Sequence, residues 1–115
     1  MKRIEVHTKT EHMRPILNAL KRVRVGGVTV TQVRGRGQNE IPVVRGLRGS
    51  AKFVADFNTR NLIYTIVNDE QAEQVIKAIL DAVQNEDTEA FGKIFITNIE
   101  DAVDLASGKR GIQAL

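Results

Sequence analysis

The residues with the clearest chemical potential are glycines and basic side chains at the ends of two predicted strands. Gly35-Arg36-Gly37-Gln38 directly follows one alternating segment, and Gly92-Lys93 directly precedes another. Backbone N–H groups at glycines can approach phosphate oxygens closely, and a neighbouring arginine or lysine can neutralise the phosphate charge. Taken by themselves, these segments are more often plain turns and a solvated strand end, and phosphate binding is the alternative.

A long glycine-punctuated segment, Val28–Lys52, begins as a strand and continues as a loop without a helix signal. A connection of this length is usually a functional loop or a disordered segment. Its one acid is Glu40, and the basic residues in or beside the loop are Arg34, Arg36, Arg45, Arg48 and Lys52. Because the net charge of the whole chain is only +3, this local excess predicts an anionic ligand or partner.

Composition narrows the class of protein. A chain of 115 residues is expected to form a single domain over residues 1–115 with a modest core. Because so small a domain leaves a large fraction of its surface exposed, we expect copies of the chain to associate. The absence of cysteine excludes disulfides, thiolate metal sites and cysteine nucleophiles. Met1–His7 has no apolar leader and no later run matches a membrane span, so we expect a cytoplasmic protein. No nucleophile has an adjacent base, which argues against an enzyme.

Hydrophobic periodicity predicts the elements. Thr8-x-x-Glu11 is a possible capping box for the first helix, Asn68 or Asp69 is expected to cap the second, and a short helix is possible at Asp101–Ala106. The third strand is expected in two pieces separated by the turn-like Asn58–Asn61. In chain order the predicted elements are strand Arg3–His7, helix Glu11–Arg22, strand Val28–Arg34, strand pieces Phe53–Phe57 and Leu62–Val67, helix Glu70–Val83 and strand Lys93–Ile99.

The order βαββαβ predicts a ferredoxin-like α+β fold, with a four-stranded antiparallel sheet and both helices on one face. A loop of about residues 37–53 joins strands two and three, and a tail occupies about residues 100–115. Strands two and four carry apolar residues on both alternating sets, for example Ile94 and Ile96 against Phe95. Since no further helix is available, another copy of the chain is the simplest cover for the second face.

The fold alone does not select a function. An RNA-recognition domain would need aromatic residues on its central strands, and the second and fourth strands offer only Phe95. A metallochaperone would need a cysteine pair, and His7 and His12 lack a third ligand nearby, so no metal is expected. A CutA-like trimer with a metal or small-metabolite role and an RNA-binding module that uses the arginine-rich loop remain as alternatives.

Four segments closely resemble the PII family of nitrogen-signalling proteins. They are the opening MKRIEV, GGVTVTQVRGRG at residues 26–37, SAKFVADF ending at Phe57, and GKIFI at residues 92–96. The resemblance implies a ferredoxin-like homotrimer that binds ATP or ADP, with or without Mg²⁺, in clefts between subunits. It also implies a regulator whose long loop grips a target protein, such as a membrane transporter or a metabolic enzyme, and no nucleic-acid partner.

The resemblance also assigns residues to roles. Gly27, Val28 and Thr29 would line the nucleotide cleft, with Tyr64 and Thr65 on the adenine side. Gly35, Arg36, Gly37 and Gln38 would wrap the phosphates, Arg60 stands in place of a phosphate-reaching lysine, and Gly92 with Lys93 would contribute from the other side. The partner-binding loop would comprise Asn39, Glu40, Pro42, Val43, Val44, Arg45, Leu47, Arg48 and Lys52.

The sequence departs from the family pattern in three functional segments. One is the family's GDG before its lysine, which reads Ala90-Phe91-Gly92 here and so loses one glycine and an acid. The loop lacks the tyrosine that many members carry as a nucleotidylylation site, and Leu47 or Arg48 is nearest to it. The arginine pair that neighbouring subunits use on the γ-phosphate aligns with Asp104 and Ala106. ADP, AMP or a cyclic adenine nucleotide is therefore a rival to ATP. The sequence gives no positive reason to expect 2-oxoglutarate, but Gln38 or Asn39 is a candidate for the glutamine that this ligand uses at the loop base, so the question stays open.

Overall fold

A computed structural model describes residues 1–37, 43–45, 52–54, 57–86 and 92–115. Two 3-10 turns, Thr10–His12 and Gly111–Ala114, accompany the regular elements. The helices are α1 (Met13–Arg22) and α2 (Asp69–Glu86). The strands are β1 (Lys2–Thr8), β2 (Thr29–Gly35), β3 (Val43–Arg45), β4 (Lys52–Val54), β5 (Asn58–Val67) and β6 (Gly92–Asn98).

The main sheet has the strand order β2-β5-β1-β6, and every neighbouring pair is antiparallel. The register places Ile4 of β1 between Thr65 of β5 and Ile96 of β6. The two central strands therefore come from opposite halves of the chain, and β2 and β6 form the edges. This arrangement confirms the predicted ferredoxin-like α+β fold.

The core lies between the helices and one face of the sheet. Alternation along β1 buries Ile4, Val6 and Thr8 and leaves the alternate residues half-buried. Burying an apolar side chain of this size contributes about 1.5–3 kcal/mol. The fully buried residues contributed by the other elements are Ile16 and Leu20 from α1, Ile63 from β5, and Val75 and Ile79 from α2. The opposite face, called the open face below, carries Arg3, Glu5 and His7 of β1.

The two helices begin differently. The side-chain oxygen Oδ1 of Asn68 accepts the Gln71 N–H at 2.8 Å, so Asn68 is the cap of α2. The capping box predicted for the first helix is wrong, because the Thr8 hydroxyl instead pairs with Nδ1 of His12 at 2.9 Å. The chain enters α1 through a 3-10 turn with no side-chain cap. Pro15 is the third residue of α1, where its missing N–H breaks no helical hydrogen bond.

Strand β5 runs without interruption from Asn58 to Val67, so the predicted break of the third strand at Asn58–Asn61 is wrong. Asn58 pairs with Gly35 of β2, and Asn61 pairs with both Gln32 of β2 and Thr8 of β1. Cross-strand hydrogen bonding on both sides outweighs the turn preference of these asparagines. The other predicted piece begins as β4, which pairs with β3 in a separate two-stranded sheet. The long connection therefore contains strands of its own, contrary to the expectation of a loop without secondary structure.

The tail forms a short hairpin, so the helix predicted at Asp101–Ala106 is wrong. Val103 and Arg110 form an isolated antiparallel bridge. Oδ1 of Asp104 accepts the Ser107 N–H at 2.7 Å, and Gly108 has φ +71°. This aspartate satisfies the turn through its side chain, and the glycine supplies the left-handed residue that reverses the chain.

Large apolar side chains remain exposed outside the core. Val30 of β2 is 41% exposed, and Phe95 and Ile96 of β6 are 48% and 53% exposed. Phe95 lies on the open face, whereas Val30 and Ile96 lie on the helix side of the edge strands, beyond the cover of the helices. The sequence-based expectation of uncovered apolar surface is confirmed, and a second copy as its cover stays a prediction.

Candidate functional site

The predicted ligand-binding residues of β2 lie at opposite ends of that strand. Thr29 is its first residue and Gly35 its last. Six steps of about 3.4 Å separate them by about 20 Å. The Gly27–Thr29 segment and the Gly35–Gly37 segment of one chain are therefore too far apart to hold the same small group.

The Gly35 end of β2 brings a cation next to a glycine. Arg60 of β5 lies opposite Val33, and a Cβ added at Gly35 would be 3.7 Å from Cδ of Arg60. Arg60 is half-buried, with its Nε and Nη2 atoms enclosed, so solvent screens its charge only weakly. Arg36 follows directly, is exposed, and forms no ion pair with another described residue.

The Gly92 end of β6 is built by close approach of two backbones. Gly92 has φ +140°, and a Cβ at this position would be 2.2 Å from the carbonyl oxygen of His7. Only glycine permits this contact, which brings the start of β6 tightly against β1. Lys93 comes next, lies opposite His7 in the register, and forms no ion pair within the described ranges.

Tyr64 and Thr65 are adjacent in β5 and therefore face opposite sides of the sheet. Thr65 is 2% exposed, and its hydroxyl donates to the Gly27 carbonyl at 2.6 Å. Its structural role is to position the Gly27 segment. Tyr64 lies on the open face opposite Thr29, with Arg3 stacked over its ring at 3.9 Å from the centroid. Of the two, only Tyr64 presents surface to a ligand.

A line of charged residues crosses the open face along β1. One carboxylate oxygen of Glu5 lies 2.6 Å from Nη2 of Arg3, and the other lies 2.7 Å from Nε2 of His7. The hydrogen bond from His7, followed by the contacts with Arg3, lowers the pKa of Glu5 against the opposing effect of burial. Sequence reasoning missed this line, although charged residues at i, i+2 and i+4 of a strand share one face.

Asp104 and Ala106, the tail residues that replace the family's arginine pair, are not available as cations: Asp104 is hydrogen-bonded within the chain, and Ala106 is uncharged. Hydrogen bonds from Ser107, first from its side chain and then from its backbone, lower the pKa of Asp104. Ala106 lies in the turn that this aspartate closes. Arg110 pairs with Asp101 at 2.6 Å, which lowers the pKa of that carboxyl. The structure thus holds an acid where the resemblance would place a phosphate-binding arginine.

Much of the predicted partner-binding loop lies outside the described residues. This applies to Gln38 of the phosphate-wrapping segment and, within the loop, to Asn39, Glu40, Pro42, Leu47 and Arg48. For Val43, Val44, Arg45 and Lys52 the structure describes only the backbone, which forms β3 and part of β4.

Two other features of the described residues bear on metal binding and on insertion into a membrane. Among the described residues no three His, Asp or Glu side chains come together as metal ligands. His7 lies on the open face, whereas His12 is buried beside Thr8 on the helix side, so the two do not share a site. Within the same residues, no helix combines the length and apolar character needed to cross a membrane.

The topology of the sheet and helices defines an α+β domain of ferredoxin-like type. Residues 1–109 match the family model described as nitrogen regulatory protein P-II, and the chain belongs to that family.

Relatives and a solved structure agree with this assignment. The chain is 33% identical over 117 residues to the nitrogen regulatory protein P-II of Rhizobium meliloti (strain 1021), covering 100% of both chains. It is 32% identical over 115 residues to nitrogen regulatory protein P-II 2 of Methanothermobacter thermautotrophicus, covering 100% of this chain and 97% of the other. The structure of Arabidopsis thaliana PII bound to citrate matches with TM-score 0.75 and 24% identity, covering 99% of this chain and 91% of the other, which shows a shared fold.

Proposed function

We propose that this protein is a cytoplasmic signalling regulator, not an enzyme, that binds ATP or ADP between the subunits of a homotrimer. In this proposal the loop of about residues 37–53 controls a partner protein, either a membrane transporter or a metabolic enzyme. Membership of the P-II family supports the regulatory role. The nucleotide-binding residues predicted from the sequence form two groups, Gly27–Thr29 and Gly35–Gly37, and each group is one half-site. The observation that carries the nucleotide proposal is that these two half-sites lie far apart on one chain.

The half-sites become one site only if two copies contribute to it. Gly27, Thr29 and Tyr64 lie at one end of the β2–β5 pair, and Gly35 lies at the other, about 20 Å from Thr29 and next to the Arg60 side chain. A second copy that brings its Thr29 end beside the Gly35 end of the first would join the adenine half to the phosphate half. The exposed Val30 and Phe95 supply apolar surface for such an assembly.

The phosphate half combines two kinds of group. Gly35 and Gly37 have no Cβ and so let a phosphate approach the backbone closely, and Arg36, Arg60 and Lys93 supply positive charge. A phosphate accepts hydrogen bonds from both, and charge-assisted bonds are the stronger. A nucleotide that carries two or more phosphates fits this group best.

The tail indicates which nucleotide is preferred. Asp104 is ionised and held by Ser107, so it offers repulsion where an arginine would attract a γ-phosphate. We therefore expect ADP to bind at least as tightly as ATP. The double substitution of Asp104→Arg and Ala106→Arg, which restores the family's arginine pair, should raise the affinity for ATP relative to that for ADP.

Isothermal titration tests the binding proposal directly. The protein, with its mass in solution established first, is titrated with ATP, ADP, AMP and cyclic AMP, with and without Mg²⁺. Saturable binding at one site per subunit of a trimer is the expected result. Removing a charged hydrogen-bonding partner of a phosphate costs about 1.5–3 kcal/mol, so Arg60→Ala or Lys93→Ala should weaken binding roughly 10- to 100-fold.

A matched control is available on the other side of the molecule. Lys77 of α2 is exposed and pairs with Asp81 at 2.7 Å, one helical turn away. Lys77→Ala removes the same charge as Lys93→Ala and should leave nucleotide affinity unchanged. Equal weakening by both lysine variants would reduce the effect to net charge and would contradict the proposed site.

The role of the loop needs a separate experiment. Deleting residues 40–50 should abolish partner capture while leaving the trimer and nucleotide binding intact. Loss of trimerisation in this deletion would count against the proposal, because the exposed strand surfaces, and not the loop, are expected to hold the subunits together.

A further inference from the structure

His7 occupies the position between two cations of the proposed phosphate half. Lys93 lies directly opposite it on β6, and Leu62 lies directly opposite it on β5. Arg60 is two residues before Leu62 and therefore faces the same side of the sheet, on the diagonal from His7. Directly opposed Cβ atoms are about 5 Å apart and diagonal ones about 7–8 Å. An anion that touches both Lys93 and Arg60 therefore passes over His7.

The imidazole of His7 is fixed in orientation. Its Nε2 lies 2.7 Å from Glu5, and its ring meets the ring of Phe95 edge-on at a centroid distance of 5.2 Å. Arg3 holds the second oxygen of the same carboxylate at 2.6 Å. His7 remains partly accessible, with 33% of its side chain exposed. The ring is thus presented by neighbours on two strands and is not free to rotate away.

The hydrogen bond with Glu5 determines which nitrogen can change its protonation. A carboxylate only accepts, so Nε2 of His7 carries the hydrogen and donates it. The lowered pKa of Glu5 keeps this acceptor ionised throughout the neutral range. Nδ1 is then the nitrogen that carries no hydrogen in the neutral ring, and a proton bound there turns the ring into a cation.

We propose that His7 is an additional phosphate-contacting residue of this site, whose protonation strengthens binding of nucleoside diphosphates and triphosphates. The inference rests on the proposed function and adds a regulatory input, the pH, to the same site. Histidine changes its charge between about pH 5 and 8, so the contribution is present at the acidic end of that range and absent at the alkaline end.

The charged and titratable groups around His7 determine the direction of the effect. On its own strand, Arg3 and Glu5 largely offset one another through their ion pair. On the two neighbouring strands, Lys93, Arg60 and Tyr64 share its face, and the first two are cations. A bound phosphate would contact a cationic ring more strongly than a neutral one, so the proposal couples binding to proton uptake.

The test compares ADP affinity at pH 6.0 and pH 8.0 by isothermal titration. The variants are His7→Gln, which stays neutral and keeps a donor for Glu5, and His7→Lys, which stays charged at both values. The terminal phosphate of ADP titrates in the same range, but its contribution is common to all three proteins. Native protein should gain roughly tenfold more affinity on acidification than His7→Gln, and His7→Lys should show no such extra gain.

Proton counting separates a ligand contact from a purely structural role. Titrations of native protein in two buffers of different ionisation enthalpy should report net proton uptake near pH 7 in excess of that measured for His7→Gln. Far-UV circular dichroism and thermal unfolding establish that the variants are folded. Should His7→Gln prove unstable, Glu5→Ala provides a second test, since a ring released from Glu5 should bind ADP with a reduced pH dependence.

The outcomes distinguish the two proposals. If native protein binds no adenine nucleotide at either pH, the proposed function fails, and this inference fails with it. If native protein and His7→Gln bind ADP with the same pH dependence and the same proton uptake, the proposed function stands and the contact by His7 is refuted.

Discussion

Replacement of Gly92 by alanine is the sharpest test of how the sheet edge is built. This glycine opens β6, opposite Thr8, with φ +140°. An alanine Cβ would lie 2.2 Å from the His7 carbonyl oxygen, whereas real Cβ atoms essentially never approach within 3.0 Å. The start of β6 must therefore move away from β1 by at least 0.8 Å, the difference between these two distances.

The cost has two parts. An L-residue held at a positive φ outside its favoured regions costs about 1–3 kcal/mol. Weakening a backbone hydrogen bond next to the displaced pair adds about 1 kcal/mol. We expect Gly92→Ala to lower the free energy of unfolding by about 3 kcal/mol. For a chain of this size that loss corresponds to a decrease of about 12 °C in Tm.

Urea unfolding followed by circular dichroism measures the change, at one fixed protein concentration because assembly would shift the midpoint. Two glycines serve as controls. Gly26→Ala meets nothing within 4 Å and needs no positive φ, so it should stay within about 0.5 kcal/mol of native. Gly108→Ala has φ +71° but open space, and it should show a backbone penalty of about 1 kcal/mol without the clash.

The comparison with Gly108→Ala decides whether the close contact matters. A loss for Gly92→Ala that does not exceed the loss for Gly108→Ala would mean that β6 shifts at little cost. In that case, the position of Lys93 beside His7 would not depend on the glycine, and our account of this edge would be refuted.

Three further predictions concern single contacts. Asn68→Ala should destabilise the protein by about 1 kcal/mol through loss of the α2 cap, whereas Asn68→Ser should retain most of it; equal urea midpoints for the two variants would contradict this. Thr65→Val should cost about 1 kcal/mol because the Gly27 carbonyl loses its buried donor, and Thr65→Ser, which keeps the hydroxyl, should cost less in the same assay. The lowered pKa of Glu5 contributes stability that is fully present above the ordinary carboxyl pKa of 4.5 and is lost as the pH falls through the lower folded value. Urea midpoints measured between pH 5 and 3 should therefore decline less steeply for Glu5→Gln than for native protein, and identical slopes would refute the assignment.

The periodic elements were predictable from sequence because a single physical signal determines each of them. The apolar stripe of α2 predicts Glu70–Val83, and the structure extends this to Asp69–Glu86. The alternation of β1 predicts Arg3–His7, and the strand is Lys2–Thr8. In both cases, burial of one face against the core requires the same residues that the pattern selects.

The errors arose where local preference and long-range pairing disagree. Asn58–Asn61 has the composition of a turn, yet pairing with β2 throughout, and with β1 at Asn61, holds it extended. Thr8 has the spacing of a helix cap, yet its hydroxyl is buried with His12 inside the core. In each case, the deciding partner is a residue whose position in space the sequence pattern does not reveal.

For the candidate site, too, the residue types were predictable from the sequence, but their arrangement in space was not. The glycines and cations at the ends of β2 and β6 were visible in the sequence, since residue type alone suggests phosphate chemistry. Their mutual distance was not, because it depends on the strand order and the register. The Arg3–Glu5–His7 line was also missed, although its spacing along one strand would have placed all three side chains on one face.

Separation of the two half-sites has a thermodynamic consequence for the proposed regulator. If the Thr29 end of one subunit and the Gly35 end of another must meet around one nucleotide, a free subunit offers only half of the contacts. Nucleotide binding then favours assembly, and assembly favours nucleotide binding by the same factor. Dilution should weaken the apparent affinity for ADP, and ADP should in turn raise the stability of the trimer. This coupling would let a signal carried by nucleotide concentration act on the loop at the base of β2, because the ligand and the loop share the Gly35–Gly37 segment.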